Sequence, residues 1–143
     1  MILTVLDANV LVAGSAALAQ LQSRPGSIVR RWFAGEIAVV LSEYILDEVD
    51  HALSKKYFRS GPSPELQRQV VDQIRRNARL IDPIVVPGVA PHHHDDPVLA
   101  TVAASGADWF VTGDAALLAM GSYAGVPFAD PAGFLEVLDA AGR

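Results

Sequence analysis

The sequence predicts an α/β fold, a three-layer α/β/α sandwich around a central, mainly parallel sheet of about 4–5 strands. Short apolar runs such as Ile2–Leu6 and Ile37–Leu41 lack polar alternation, as expected for strands buried on both faces. These runs alternate with segments of helical character, which is typical of a parallel sheet covered by helices. The chain has 143 residues, 51% of them apolar, and we expect one domain over residues 1–143.

Local signals predict the elements of the first half in chain order. Residues 8–22, rich in Ala and Leu, follow the first strand and predict a helix. The segment Arg24–Ser27 contains Pro and Gly and is expected to break the chain before a helix over Ile28–Ala34. After the second strand, Ser42 can cap a helix that runs to about Lys55.

In the second half, Gly61 and Pro62 predict another break, and Ser63 with Pro64 predicts the start of a long helix. The apolar stripe of that helix is Leu66, Val70, Ile74, Ala78 and Ile81. The remaining predicted elements are a short strand over Ile84–Val86, a helix from Asp96 to near Gly106, a strand over Trp109–Thr112, a helix over Asp114–Met120, a strand over Val126–Phe128 and a helix over Pro131–Ala140.

Composition narrows the class of protein. The chain has no cysteine, which excludes disulfides and thiolate zinc sites and fits a reducing cytoplasm. No apolar run approaches the roughly 18 residues of a membrane span, so we expect no membrane partner. Net charge is −5, but ten of the eleven Lys and Arg residues lie between Arg24 and Arg79. Residues 80–143 hold eight acids and one arginine. The asymmetry allows one basic surface beside an acidic centre.

Acidic residues follow two of the predicted strands. Asp7 comes directly after the first strand, and Asp114 follows the strand Trp109–Thr112 by two residues. Sites in parallel sheets form beyond the carboxyl ends of the strands, although a single Asp there is also a common turn residue. Two such acids at neighbouring strand ends favour a site.

Glu48 is the unusual acid of its helix. Glu43, Asp47 and Asp50 share one face at i, i+4 and i+7, which predicts a solvated face. Glu48 instead lies on the apolar flank beside Val49, where a carboxylate is costly without a partner. A site residue and an edge residue that reaches water are equally compatible with this pattern.

The stretch PHHHDDPVLA, residues 91–100, raises the question of a metal. Asp96 can cap the helix that follows it, and Asp95 is a loop acid or a second ligand. Asp7, Glu48, Asp96 and Asp114 could therefore gather at one end of the sheet, where a divalent cation would relieve their repulsion. An all-oxygen site suits Mg²⁺ or Mn²⁺ and implies phosphodiester hydrolysis.

Four segments together resemble the PIN domain, a family of metal-dependent ribonucleases. They are LDANVLV, LSEYILDEV, DDPVLATVAASGADWFVTGD and VPFADPAGFLEVL, and they span nearly the whole chain. Within the family the chain looks most like the toxins of bacterial toxin–antitoxin pairs, similar to VapC-type toxins. The resemblance implies a PIN-like fold, Mg²⁺ or Mn²⁺, an RNA substrate, a homodimer and a small antitoxin protein that blocks the site.

The resemblance also assigns residues. It places the family's acidic quartet on Asp7, Glu48, Asp96 and Asp114, with Asp96 preferred to Asp95 because it precedes the apolar helix start. Asn9 and Thr112 match the polar positions that support the site, and Asp95 remains a supporting acid.

The three histidines, residues 92–94, are not part of the family pattern. We expect them at the rim of the site, because three consecutive side chains do not easily converge on one ion.

Basic residues on the long helix and in SKKYFRSG, residues 54–61, suit either RNA or ordinary surface pairing. A phosphoacceptor receiver or a haloacid-dehalogenase-type phosphatase is disfavoured, because no lysine follows Lys56 and Asn9 occupies the phosphatase's second acid position. A PIN-like module that binds RNA or protein without cutting it is the alternative function.

Overall fold

The computed structural model describes residues 1–60 and 63–142. Gly61 and Pro62, and the side chains of residues 56–60, lie outside the described residues. The predicted break at Gly61 and Pro62 therefore lies outside them, and so does the suggestion that the side chains of residues 56–60 contact RNA. In the described part, six strands form one sheet in the order β3-β2-β1-β4-β6-β5. The strands are β1 (Ile2–Leu6), β2 (Ile37–Ser42), β3 (Arg79–Ile81), β4 (Trp109–Val111), β5 (Ser122–Tyr123) and β6 (Val126–Ala129). Every pairing is parallel except that of β5 with β6.

Helices connect and cover the strands. They are α1 (Ala8–Ala16), α2 (Arg24–Phe33), α3 (Glu43–Ser60), α4 (Pro64–Asn77), α5 (Asp96–Ser105), α6 (Ala115–Met120) and α7 (Pro131–Ala141). Strand β2, which lies between β3 and β1, contacts both α2 and α5, and its residues 39–42 are all buried. Both faces of the sheet are therefore covered, which confirms the predicted α/β class.

The predicted bounds of the first two helices were wrong. The first helix ends at Ala16 rather than at residue 22. The second helix begins at Arg24, inside the predicted break, because the Ser23 hydroxyl accepts a hydrogen bond from the Gly26 amide at 3.1 Å. A proline in a first helical turn costs no hydrogen bond, so Pro25 starts this helix instead of breaking it.

The third strand is also not where the sequence predicted it. The predicted strand Ile84–Val86 is not a strand, and β3 lies just before it, at Arg79–Ile81. Pro83 has no amide hydrogen and does not continue a ladder. Ser42 ends β2 directly before the first residue of α3, and its hydroxyl accepts a hydrogen bond of 2.8 Å from Thr101.

The strand β5 was not predicted, and it brings the count to six. Ala124 and Gly125 have φ of 51° and 80°, which makes the tight turn that returns β5 antiparallel onto β6. Neither residue is the Asn or Asp that usually marks such a turn. Among the described residues, no helix is long and apolar enough to cross a membrane.

Candidate active site

The carboxyl end of β1 carries Asp7, which is 6% exposed and caps α1. One carboxylate oxygen, Oδ1, accepts a hydrogen bond of 2.8 Å from the Ala8 amide. The other, Oδ2, accepts hydrogen bonds from the Thr112 hydroxyl at 2.7 Å and from the Asn9 side-chain amide at 3.4 Å. Burial raises the pKa of Asp7 despite these donors, and the charges of Asp95 and Asp114 raise it further.

The carboxyl end of β4 joins this network. Thr112 is fully buried, and its hydroxyl accepts the Asp114 amide at 3.0 Å while it donates to Asp7. Asn9 accepts the Gly113 amide at 3.0 Å. Asp114 caps α6, where its Oδ1 accepts the amides of residues 116 and 117. Asn9 and Thr112 thus link the ends of β1 and β4 by hydrogen bonds that include Asp7 and the backbone of residues 113 and 114.

Glu48 reaches the same place from α3. Its Oε1 is buried and has no hydrogen-bond partner within the described residues. Burial, together with the charges of Asp7 and Asp95, raises the pKa of Glu48 to about 7. The apolar flank of α3 therefore brings a carboxylate against other carboxylates.

Asp95 is the fourth acid of the group. It ends a short 3-10 turn, His93–Asp95, and is 7% exposed. Its Oδ2 is buried without a hydrogen-bond partner in the part of the chain that the structure describes, and His94 Nε2 lies 3.7 Å away. Burial raises the pKa of Asp95, and the charge of Asp114 adds to that effect while His94 opposes it.

Asp96, which the sequence preferred to Asp95, has different surroundings from the other acids. Both oxygens of Asp96 accept backbone amides of the preceding loop, from Gly88 at 2.9 Å, Val89 at 3.0 Å and Ala90 at 2.7 Å. These hydrogen bonds lower the pKa of Asp96. Its carboxylate holds the loop of residues 88–90 in place. The charge of Asp95, by contrast, raises the pKa of both Asp7 and Glu48. We call Asp7, Glu48, Asp95 and Asp114 the acidic cluster.

The histidines lie at the rim of the acidic cluster. His92, His93 and His94 are exposed, and the rings of His92 and His94 stack with centroids 5.5 Å apart. The Tyr44 hydroxyl donates a hydrogen bond to the His94 carbonyl and ties this turn to α3.

The acidic cluster suits a hard cation by its chemistry. Across the described residues, no three His, Asp or Glu side chains are arranged to hold an ion directly. Two buried carboxylate oxygens, Glu48 Oε1 and Asp95 Oδ2, nevertheless have no partner there and lie among like charges. Mg²⁺ and Mn²⁺ prefer oxygen ligands, and Mg²⁺ keeps several waters and needs few carboxylates. The donor set therefore fits such an ion bound in part through water.

A groove of about 530 Å³ opens beside the acidic cluster. It runs between α1 and α3, and Asn9 and Glu48 belong to both the groove and the site. The rest of its lining is Ala8, Val12, Ala13, His51, Ala52 and Lys55. The groove therefore places a lysine and a histidine beside the acidic cluster.

The fold and this acidic edge define an α/β protein with its candidate site at the carboxyl ends of parallel strands. A family model described as a PIN domain matches residues 4–116, and the chain belongs to the PIN domain family. No curated protein matches the chain.

Solved structures share the fold. PAE2754 from Pyrobaculum aerophilum is 18% identical, with a TM-score of 0.61 over 97% of this chain and 98% of that one. VapBC2 from Rickettsia felis, solved bound to a DNA fragment from its promoter, contains a chain that is 14% identical. Its TM-score is 0.59, over 90% of this chain and 98% of that one. These likenesses confirm the predicted fold, and the family model confirms the family resemblance.

Proposed function

We propose that the chain is an Mg²⁺- or Mn²⁺-dependent endoribonuclease and the toxin of a toxin–antitoxin pair. The observation that carries the nuclease proposal is the pair of buried carboxylate oxygens on Glu48 and Asp95, which lie among like charges in a PIN fold. Such a pair is costly to bury unless a cation offsets it during function.

In this proposal Asp7, Glu48, Asp95 and Asp114 hold the ion. When bound, the ion supplies an activated water and neutralises charge on the phosphodiester. Asn9 and Thr112 fix the carboxylate of Asp7 in its orientation. Asp96 acts through the 88–90 loop and is a positioning residue.

Proton release is part of the proposed binding step. The Glu48 carboxyl has a pKa of about 7, so a neutral solution without metal contains both of its protonation states. A cation that binds the carboxylate must displace that proton, and its affinity should rise between about pH 6 and pH 8.

The RNA strand is proposed to leave the acidic cluster along the groove between α1 and α3. Lys55 is exposed and His51 stands one helical turn before it, so both can contact phosphates of the strand. The acidic cluster itself would repel a polyanion, and the charge of Lys55 offsets part of that repulsion.

A partner protein is proposed from the sequence resemblance to VapC-type toxins and from the fold that the chain shares with VapBC2. An antitoxin would cover the acidic cluster, and the toxin would act once the antitoxin dissociates. The family resemblance also suggests a homodimer.

The neighbouring acids provide a matched test. Asp95→Asn should lose tight Mn²⁺ binding, measured by calorimetry, and should lose metal-dependent cleavage of mixed RNA. Asp96→Asn should keep Mn²⁺ binding, since its carboxylate contacts loop amides instead. Asp47→Asn, on the solvated face of α3, controls for the loss of a charge.

Each contrary result has a meaning. Loss of Mn²⁺ binding in Asp96→Asn, with normal binding in Asp95→Asn, would restore Asp96 as the ligand. Mn²⁺ binding without cleavage of any RNA, in protein shown free of antitoxin, would favour the silent PIN-like module that binds RNA or protein. The observation that favours this second function is that no three His, Asp or Glu side chains among the described residues are arranged to hold an ion directly.

A further inference from the structure

The turn at residues 92–94 carries three histidines that the proposed nuclease site does not use. All three are exposed, and they lie directly before Asp95 at the rim of the acidic cluster. Imidazole is not a ligand that Mg²⁺ or Mn²⁺ prefers, but it is a preferred ligand of Zn²⁺. The turn therefore places a second class of metal ligand beside the carboxylates.

The distance between His94 and Asp95 suits two ligands of one zinc ion. His94 Nε2 lies 3.7 Å from Asp95 Oδ2, which is too long for a hydrogen bond. Tetrahedral zinc holds its nitrogen and oxygen ligands at about 2.0–2.1 Å, which sets two such atoms about 3.3–3.4 Å apart. The two side chains therefore need only a small movement to bind the same ion.

Asp95 also lacks a partner for the atom that faces His94. Its Oδ2 is buried without a hydrogen bond to any described residue, and Asp95 as a whole is 7% exposed. The side chain of His94 is 59% exposed, so an ion can reach the pair from the solvent side of the histidine. A cation between the imidazole and the buried oxygen would remove the cost of leaving that oxygen without a partner.

The ring of His92 stands beside that of His94. The two rings are nearly parallel, with centroids 5.5 Å apart, whereas the rings of His93 and His94 are nearly perpendicular. No three such side chains of the described residues hold an ion where they now stand. His92 must therefore turn to become a third ligand, and exposed side chains change rotamer readily.

The middle histidine faces a different acid. Burial raises the pKa of Asp95, and the charges of His94 and His92 oppose that rise. Hydrogen bonds from the amides of residues 88–90 lower the pKa of Asp96, and the charge of His93 adds to their effect. The first and third histidines of the turn are thus the ones close to Asp95.

We propose that His92, His94 and Asp95 bind Zn²⁺, with water as the fourth ligand, and that this ion opposes the binding of Mg²⁺ or Mn²⁺ to the acidic cluster. Both kinds of ion draw on Asp95, and two divalent charges so close together repel each other. Sites with nitrogen ligands bind Zn²⁺ more tightly than Mn²⁺. Zinc binding stands on these three residues alone, whereas inhibition of cleavage by zinc rests on the proposed nuclease function.

Calorimetric titration of the untagged chain with zinc chloride, with no other metal present, tests the site. His94→Ala and His92→Ala should each lower the Zn²⁺ affinity by at least about tenfold, because each removes an imidazole ligand. His93→Ala is the matched control, an exposed histidine of the same turn, and should leave the affinity nearly unchanged. All three side chains are exposed, so the variants should fold, which circular dichroism checks.

Two results of the titration would overturn the proposal. If His93→Ala lowers the Zn²⁺ affinity as much as His94→Ala does, the exposed histidines bind an adventitious ion only. If the parent chain binds no Zn²⁺, or if neither His92→Ala nor His94→Ala weakens binding, the geometry of the turn does not make a zinc site.

Competition between the two metals tests the shared use of Asp95. Saturating Zn²⁺ should lower the Mn²⁺ affinity of the parent by at least about tenfold and should inhibit Mn²⁺-dependent cleavage of RNA. His94→Ala should keep the Mn²⁺ affinity of the parent and resist both effects of Zn²⁺. Simultaneous binding of the two ions without competition would refute the antagonism. Absence of cleavage under any metal would contradict the nuclease proposal alone, since the zinc titration is independent of activity.

Discussion

Replacing Glu48 by glutamine should stabilise the metal-free protein above neutral pH while it abolishes metal binding. The side chain carries a carboxylate whose Oε1 is buried without a hydrogen-bond partner in the described residues, beside Asp7 and Asp95. Glutamine keeps the shape and removes the charge. The gain in stability equals the extra free energy that ionising Glu48 costs in the folded chain relative to the unfolded chain.

The magnitude follows from the shifted pKa. The ordinary value is 4.5 and the folded value is about 7, and each unit corresponds to about 1.4 kcal/mol. An unscreened shift would give about 3 kcal/mol, but Glu48 is half-buried and water screens part of it, so we expect about 1–2 kcal/mol.

The sign of the pH dependence is fixed by the direction of the shift. Between pH 4.5 and about 7 the folded chain binds the Glu48 proton more tightly than the unfolded chain does. The free energy of unfolding therefore falls as the pH rises through this window. Glu48→Gln should be more stable than the parent at pH 8 and closely similar at pH 4.5.

Urea denaturation at the two pH values, with metal chelated, measures the difference. Glu136→Gln, an exposed glutamate on α7, should change neither value. Saturating Mn²⁺ should stabilise the parent at pH 8 and leave Glu48→Gln nearly unaffected, since ligand binding to the folded state raises stability. An equal gain at both pH values, or none at pH 8, would refute the idea that the Glu48 charge carries this cost.

Three further substitutions test the framework around the site. Asp96→Asn should lower the melting temperature at pH 7 and speed amide exchange at residues 88–90. Because the pKa of Asp96 is lowered, the difference should fade as the pH falls below its ordinary 3.8 and through the folded value. Thr101→Val should cost about 1–2 kcal/mol in urea denaturation, since the buried Ser42 hydroxyl loses its 2.8 Å donor; an unchanged midpoint would contradict this. Gly14→Ala should cost about 1–3 kcal/mol, since a Cβ there would lie 2.5 Å from a side chain of α2; calorimetry showing no loss would mean that the two helices separate easily.

Parts of the fold were predictable because local signals and tertiary structure agree. Ser63 caps α4 through the Leu66 amide, as the sequence indicated, and the apolar run Ile2–Leu6 is β1. The predictions failed where a short strand depends on its neighbour. The sequence pattern of Arg79–Ile81 predicts the end of a helix. The segment forms a strand because it pairs with β2, and the local sequence does not indicate that pairing.

The strand-end acids of the site were predictable for a general reason. Parallel strands end at one edge, so Asp7 and Asp114 had to lie near each other once the sheet was inferred. Glu48 could be singled out because it interrupts an apolar helix flank. In each case, the pattern that predicts the backbone also fixes where the side chain points.

Asp95 and Asp96 could not be separated by that reasoning. They are adjacent at the start of one helix, and neighbouring residues there point in directions about 100° apart. Which acid turns inward depends on a loop that has no periodicity to read. The amides of residues 88–90 surround the carboxylate of Asp96, and this leaves Asp95 to face the other acids. Asp96 receives three hydrogen bonds while Asp95 Oδ2 has no partner among the described residues. A carboxylate whose oxygens accept hydrogen bonds within the fold has a structural role, whereas a buried carboxylate oxygen without a hydrogen-bond donor is available to a ligand. We therefore propose that Asp95 holds the cation and that Asp96 fixes the loop beside it.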